Sequence, residues 1–311
     1  MSDIHLDAEN LARLFGISAA DVRQVLGPHG VPPLSYRRPS ASEREAILRD
    51  VHKHLEDPSL RISGENDSAV WERGWGQIRD VVAREGFNLR SLKPQYFRNQ
   101  MVLRLAGDYA CAPNDTFVTD VDVLLRRIAY SRYLAGSTSV LELGCGTGLN
   151  LLLLRDILPQ AKLVGADWAR ASVEILDLAS KESGSKISGM QFNMLTLEGR
   201  ERLAIDSDTA VLTVHSMEQL GSGFQPLFDM LMQAKPRLCV HFEPIVELYD
   251  PAQLFDALAI RYHKKRNYLQ DYLPALQRYA EQGLIEMLDV RRLGFGSQFH
   301  EAYSLVVWRP R

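Results

Sequence analysis

The spacing of apolar and polar residues along the chain changes at about residue 137. From there to the end, short apolar runs alternate with longer stretches of helical spacing, a pattern typical of a doubly wound α/β sheet. Strands are predicted at 139–143, 162–167, 189–194, 209–215 and 237–242, and helices at 149–157, 170–181, 224–234 and 251–282. Two further strands follow Gly283, around a glycine-containing connection. The pattern therefore predicts a seven-stranded, mostly parallel sheet over residues 137–311.

The first 136 residues have a mostly helical pattern, interrupted by polar, proline- and glycine-containing stretches at 27–40 and 61–68. We expect residues 1–64 to form a small helical unit that serves packing or dimerisation. Residues 65–136 are predicted to be a helical section that covers the substrate, with 70–110 as a lid. Within it, Trp71 and Trp75 supply either lid aromatics or ordinary packing residues.

Composition and charge exclude several classes of protein. The chain has 311 residues, 46% of them hydrophobic, and a formal net charge of −3, so no overall field draws it to nucleic acid or anionic lipid. Cys111, Cys145 and Cys239 form no Cys-x-x-Cys pair, which favours a reducing compartment. The start has no basic segment followed by an apolar one, and no apolar run is long enough to span a bilayer. We expect a cytoplasmic protein with no membrane or nucleic-acid partner.

A glycine-rich loop, "VLELGCGTGLN" at 140–150, follows the first predicted strand of the sheet. Gly144, Gly146 and Gly148 allow strained turns and close approach of a ligand to the backbone. A dinucleotide fingerprint requires its third glycine at the position of Leu149, and no Gly-Lys-Ser/Thr phosphate loop follows. An ordinary strand-to-helix turn and a Rossmann enzyme with another nucleotide remain as alternatives.

The pattern Glu-x-Gly-x-Gly-x-Gly, with Glu142 leading, and the acid Asp167 after the second strand resemble the class I S-adenosylmethionine-dependent methyltransferases. The resemblance covers about residues 137–311. It implies a Rossmann-like sheet that binds S-adenosylmethionine and releases S-adenosylhomocysteine, with Asp167 on the ribose hydroxyls and Trp168 beside the adenine. Asn193 departs from the family's acid at that position, but its amide oxygen can accept the same hydrogen bond. The expected cofactor residues are Glu142, Gly144, Cys145, Gly146, Gly148, Asn150, Asp167, Trp168, Asn193, Met194 and His215, joined by Tyr96 and Arg104 for the cofactor carboxylate.

Polar residues follow the fourth and fifth strands, where ligands of open α/β sheets bind. They are His215, Glu218, Gln219, His241, Glu243, Glu247 and Tyr249. We expect His241 with Glu243 to act on the methyl acceptor, as base and orienting acid, and Glu218 to be a second anchor. His215 is another candidate base. Each of these residues taken singly also fits a structural role, and a metal held by His and Glu is an alternative that the spacing does not require.

Two further polar clusters lie near the end of the chain. The basic run at 261–266 contains Arg261, His263, Lys264, Lys265 and Arg266, and fits either an anionic acceptor or a solvated face. His300 and Glu301 lie on the predicted edge hairpin, which either borders the pocket or is a plain connection.

These residues together predict an O- or N-methyltransferase for a small polar metabolite. The acidic residues that follow the fourth and fifth strands favour a sugar or an amino compound as the acceptor. The alternative is a DNA-binding regulator with a helix-turn-helix at 11–26 and a cofactor-sensing sheet domain, since Ala12, Gly16 and Val22 suit that motif. In residues 1–26 only Arg13 and Arg23 are set against the four acids Asp3, Asp7, Glu9 and Asp21, which favours a hairpin for packing or dimerisation. A catalytically silent binding scaffold is a third alternative, and a homodimer is compatible with each.

Overall fold

The computed structural model describes residues 3–27, 30, 32, 34–64, 68–93, 101–183 and 186–311. Its helices are α1 (Ala8–Phe15), α2 (Ala19–Leu26), α3 (Ala41–Glu56), α4 (Ser68–Glu85), α5 (Phe117–Tyr133), α6 (Leu149–Ile157), α7 (Arg170–Ser183), α8 (Gln225–Ala234), α9 (Leu254–Arg266) and α10 (Tyr272–Glu281). Its strands are β1 (Ile4–His5), β2 (Ser35–Tyr36), β3 (Val102–Leu105), β4 (Asp108–Cys111), β5 (Ser139–Leu143), β6 (Lys162–Asp167), β7 (Ile187–Gln191), β8 (Thr209–Val214), β9 (Leu238–Glu243), β10 (Ile285–Ser297) and β11 (Tyr303–Pro310).

A mixed sheet forms the centre of the molecule. Over the described residues it has nine strands in the order β4-β3-β10-β11-β9-β8-β5-β6-β7. Strands β5 to β9 pair in parallel, and β11 lies antiparallel between β9 and β10. The chain leaves β5 to one side for β6 and to the other side for β8, so the carboxyl ends of β5 and β8 mark the point where the strand order reverses. The prediction of a doubly wound, mostly parallel sheet is confirmed.

The predicted count of seven strands is wrong, because β3 and β4 extend the same sheet. They form an antiparallel hairpin whose first strand pairs Leu105 with Phe295 of β10. This hairpin comes from the section predicted to be helical. The alternation of apolar and polar residues in these strands is too short to distinguish a strand from a helix. Pairing with β10, which is distant in the sequence, decides their conformation.

Both faces of the sheet are buried. Along β5, Val140 packs in one apolar core, while Leu141 and Leu143 pack in another on the opposite face. Helices α5, α6 and α7 contribute to the first core, and α8 and α10 contribute to the second. Successive strand residues point to opposite faces, so strands buried on both sides read as nearly continuous apolar runs. This explains why the five parallel strands were recognisable in the sequence.

The long helix predicted over 251–282 is wrong: the segment contains two helices. Helix α9 ends where Asn267 takes a left-handed backbone with φ +52°, and its N–H and that of Tyr268 close the last turn. Asp271, with φ +63°, precedes α10. Asn and Asp tolerate this conformation better than other residues with a side chain, and both are weaker stop signals than glycine.

The N-terminal hairpin packs on the sheet domain. Leu11 and Phe15 of α1 and Val22 of α2 are fully buried in the same core as β5. Arg23 forms an exposed ion pair with Glu9, 3.0 Å away. One of the two arginines of this hairpin therefore already has an acidic partner. Helix α3 begins with a capping box, in which Ser40 and Glu43 bind each other's backbone N–H, and it packs against α9. No described helix is long and apolar enough to cross a membrane.

Candidate active site

The glycine loop lies at the point where the strand order reverses. The N–H of Gly144 donates to Ala166 O at 2.7 Å, which fixes the loop to the end of β6. Gly144, Gly146 and Gly148 all have positive φ, at +73°, +52° and +79°. A Cβ on Gly144 would lie 2.3 Å from the Cβ of Ser216, and one on Gly146 would lie 3.2 Å from the ring of Trp75. The loop therefore requires glycine both for its conformation and for its close contacts.

Asp167 ends β6 directly beneath this loop. Its Oδ2 accepts from the N–H of Gly146 at 2.8 Å, and its Oδ1 accepts from that of Ala169 at 2.9 Å. Burial raises the pKa of Asp167 to about 6, while these two N–H donors favour the charged form. The carboxylate is thus held in one orientation at the edge of a crevice that it lines.

The walls of this crevice are largely aromatic. Trp71 and Trp75 of α4 stack with ring centroids 5.2 Å apart, and Trp168 lines the same space. Asn193 and Met194 also line it, but the Oδ1 of Asn193 already accepts from the N–H of Leu195 at 2.9 Å. The amide oxygen expected to serve as an adenine acceptor is therefore engaged in capping its own turn.

Glu142 and Asn150 lie behind the loop in a buried polar network. The Nδ2 of Asn150 donates to Glu142, and its Oδ1 accepts from Arg126 at 2.6 Å and from the Tyr130 hydroxyl at 2.8 Å. Arg126 also pairs with Asp122 at 2.8 Å. Burial raises the pKa of Glu142 to about 8. Glu142 lines neither cavity of the site, so its contact is with Asn150 and through it with Arg126.

A second cavity of about 650 Å³ adjoins the crevice. Trp71, Trp75, Gly144, Gly146 and His215 line both spaces, so the two form one continuous site. Cys145 and Asn150 line the second cavity, and Gly148 packs behind it against Leu176. Its outer walls are mainly aromatic, with Tyr262, Tyr268, Phe295, Phe299 and Tyr303. A mostly apolar cavity of this size with a few polar groups suits a small ligand.

His215 stands at the junction of the two cavities. Its backbone is left-handed, with φ +53°, an uncommon conformation for a residue with a side chain. The Nδ1 of the ring lies 3.3 Å from Oε2 of Glu218, and its Nε2 is buried without a hydrogen bond to any described residue. The ring packs edge-on against Tyr303, with centroids 4.4 Å apart. The structure thus brings His215 and Glu218 together at the junction of the two cavities.

The structure places His241 away from both cavities. The ring is fully buried: its Nδ1 pairs with Thr213 Oγ1 at 2.8 Å, and its Nε2 lies within reach of the Tyr272 hydroxyl at 3.0 Å and the Trp308 Nε1 at 2.9 Å. Burial lowers its pKa to about 3. This geometry favours a structural role over the base that the sequence suggested.

Glu243 also has a structural position. Its carboxylate accepts from the backbone N–H groups of Ser216, Met217 and Glu218 at 3.1, 3.1 and 3.2 Å. It thereby fixes the turn that carries Glu218 without lining either cavity. Burial raises the pKa of Glu243 to about 7. Glu247 is likewise turned away, accepting from the N–H of Asp271.

Of the two residues expected to reach the cofactor carboxylate, the structure describes Arg104, whereas Tyr96 lies outside the described residues. Arg104 is fully buried, with its guanidinium 3.8 Å above the ring of Phe255 and Nη2 donating to Phe255 O at 2.7 Å. It lines neither cavity, because the strand that carries it pairs with β10 and directs it toward α9.

In each of the two polar clusters near the end of the chain, some residues line the second cavity and others do not. Arg266 lines the second cavity, whereas Arg261 pairs with Glu56 and Lys265 Nζ donates to backbone carbonyls at the end of α3. His300 lines the cavity and pairs with His263 at 3.0 Å. Glu301 instead binds Arg292 through both of its oxygens.

Sequence reasoning missed Arg126 and Tyr303, which line the second cavity. Arg126 Nη2 donates to the Tyr303 hydroxyl at 3.1 Å. The sequence offered one signal, a single arginine on the apolar face of the helix that precedes β5. An arginine at such a position indicates a functional role only once it is known to be buried. Within the described residues, no three His, Cys, Asp or Glu side chains are grouped so as to hold a metal ion.

Comparisons with known proteins give structural likenesses alone. No family model matches the chain, and no curated protein matches it. A methyltransferase domain of bacterial CtHen1 is similar at 17% identity and TM-score 0.41, over 58% of this chain and 93% of that one. A SAM-dependent methyltransferase from Aquifex aeolicus is similar at 12% identity and TM-score 0.40, over 59% and 87%. A geranyl diphosphate C-methyltransferase from Streptomyces coelicolor A3(2) is similar at 11% identity and TM-score 0.44, over 75% and 98%.

Proposed function

We propose that this protein is an S-adenosylmethionine-dependent methyltransferase that methylates an oxygen or nitrogen atom of a small acceptor. One observation carries the proposal: His215 separates a crevice built on the glycine loop and Asp167 from a cavity large enough for a second small molecule. A transfer between two bound molecules requires two adjoining spaces of this kind.

The residues that line the crevice fit the cofactor. Asp167 presents a fixed carboxylate suited to two vicinal hydroxyls, and Trp168 offers a flat apolar surface for a base. The Nε1 of Trp71 and the Oε1 of Gln219 are buried there without a hydrogen bond to any described residue. Buried polar atoms without partners are costly, and a polar ligand would satisfy them. The site is therefore better matched to a nucleoside than to apolar packing.

We assign the amino-acid part of the cofactor to the glycine loop. The residues from Gly144 to Thr147 line the second cavity, and Gly144 and Gly146 line the crevice as well. A loop that leads into a helix N-terminus offers free backbone N–H groups to an anionic group. When bound, S-adenosylmethionine supplies an activated methyl group. The protein's part is then to align the acceptor atom and to take its proton.

We assign the acceptor's proton to His215. The Glu218 carboxylate beside Nδ1 favours the tautomer with hydrogen on Nδ1, which leaves Nε2 with a free lone pair. That atom has no hydrogen bond to a described residue and belongs to a ring that faces both cavities. A hydroxyl acceptor requires such a base, and an amine acceptor can also transfer its proton to it.

The proposal is tested by binding and transfer measured separately. Calorimetry with S-adenosylhomocysteine reports the crevice, and incubation with labelled S-adenosylmethionine and a fractionated metabolite extract, followed by mass spectrometry, reports transfer. We expect saturable binding and at least one labelled product. Absence of binding would contradict the cofactor assignment, whereas binding without any labelled product would favour a cofactor-binding scaffold.

A further inference from the structure

We infer that the methyl acceptor carries an anionic group, a carboxylate or a phosphate, and that Arg266 binds it in the tyrosine-lined part of the second cavity. This inference rests on the proposed function and specifies the substrate class of the same site.

Arg266 is held in the cavity wall by two aromatic rings. Its guanidinium carbon lies 5.0 Å from the ring centroid of Tyr268 and 6.0 Å from that of Tyr262, and all three residues line the cavity. Stacking on aromatic faces orients a guanidinium while leaving its edge available for a planar anion.

Among the described residues, Arg266 has no ion-pair partner. Its Nε is buried without a hydrogen bond to any of them. Two other cations of the same helix do have partners: Arg261 pairs with Glu56, and Lys265 Nζ donates to Asp57 O at 2.8 Å. A partly buried cation without an anion is unfavourable, so a ligand anion would stabilise it.

The other described charged groups of the cavity form no ion pair with Arg266, and the one carboxylate among them that is not paired with an arginine, Glu218, lies beside His215. Arg126 is paired with Asp122. Glu243, which the sequence placed at the acceptor's mouth, caps a turn elsewhere. Arg61 also lines the cavity, with its guanidinium carbon 5.4 Å from the centroid of the Trp71 ring. Of the two carboxylates on which the sequence-based expectation of an amine-bearing acceptor depended, Glu243 lines neither cavity, and Glu218 remains in the cavity wall beside His215.

The rest of the wall indicates a ring compound. Tyr262 and Phe299 stack nearly parallel, with centroids 5.4 Å apart and an angle of 13°, and both line the cavity. Walls built from aromatic side chains favour a ligand body with an apolar ring. The acceptor class is therefore a small hydroxylated or aminated ring compound with one acidic substituent.

Two matched probe pairs test this inference on the full chain, with and without S-adenosylhomocysteine. The first is 4-hydroxybenzoate against 4-hydroxybenzamide, and the second is phenyl phosphate against phenol, each followed by ligand-observed NMR titration. We expect the anionic member of at least one pair to bind about tenfold or more tightly than its neutral partner, as one charge-assisted contact implies. The pair with the larger ratio identifies carboxylate or phosphate as the preferred group.

Variants assign the preference to one residue. Arg266→Gln is expected to remove the difference within the pair, and Arg266→Lys to retain part of it. Arg261→Gln, on the exposed side of the same helix, is the control and leaves the ratio unchanged. Equal binding of acid and neutral probe, no binding of any probe, or a full preference in Arg266→Gln would each overturn the inference. Failure of the proposed function would instead appear as absence of S-adenosylhomocysteine binding, which these ratios do not require.

Discussion

The imidazole of His215 lies against the carboxylate of Glu218, with Nδ1 and Oε2 3.3 Å apart. The left-handed backbone at His215 places this pair at the junction of the two cavities, directly after β8. Strained backbone of this kind is kept where the surrounding structure enforces it, and such positions cluster at functional sites. The pair is the centre of the proposed chemistry.

His215→Ala is expected to lower kcat about a hundredfold or more, because positioned general bases contribute on that scale. The affinity for S-adenosylhomocysteine should change by less than about threefold, since the ring is assigned to the acceptor. Steady-state kinetics and calorimetry measure the two quantities. His52→Ala, an exposed histidine of α3, is the control. Full turnover in His215→Ala would refute the assigned base.

His241→Ala is expected to destabilise the fold by roughly 3 kcal/mol and to leave cofactor affinity unchanged. The substitution removes the partner of Thr213, Tyr272 and Trp308 and leaves a buried cavity. Denaturant unfolding and calorimetry test the two parts. A variant of unchanged stability that has lost turnover would restore His241 as the base.

Glu142→Gln is expected to stabilise the protein relative to the natural chain as the pH rises. Burial raises the pKa of Glu142 to about 8, above its unfolded value, so the folded state holds a proton that the unfolded state has lost. The stability contributed by this group is full below about pH 4.5 and is lost as the pH rises toward 8.

The variant has no such proton to lose. Unfolding free energies measured at about pH 5 and about pH 9 should therefore diverge in its favour, by on the order of 2–4 kcal/mol at the higher pH. The amide oxygen retains the contact with Asn150 Nδ2. A difference that does not vary with pH would show that Glu142 is ionised in the folded state.

Asp167→Asn is expected to weaken S-adenosylhomocysteine binding about tenfold or more, because it replaces a charged acceptor of the ribose hydroxyls with a neutral one. Calorimetry measures the loss, and thermal unfolding separates it from local damage, since Asp167 also accepts from Gly146 and Ala169. Asp156→Asn, an exposed partner of Arg127, is the matched control. Unchanged affinity in a folded variant would exclude the ribose assignment.

Strand and helix periods in the sequence identified the parallel part of the sheet closely. Strands 139–143 and 162–167 and helix 149–157 agree with β5, β6 and α6 to the residue. Continuous burial on both faces produces long apolar runs, and such runs are local signals. The hairpin β3–β4 was missed because its conformation depends on pairing with β10, as in the pair Leu105 and Phe295, which lie far apart in the chain.

The sequence by itself determined which segments form the central sheet, where the glycine loop lies and which acid follows it on the next strand. These are properties of short stretches, set by side-chain period and by glycine's freedom. Only the tertiary structure decided which polar residues near the strand ends reach a cavity. His215 faces the site and His241 the core because strand β8 ends in a left-handed turn, whereas β9 continues buried beside Trp308. Direction and burial of a side chain depend on what packs against it, and that packing partner comes from elsewhere in the chain.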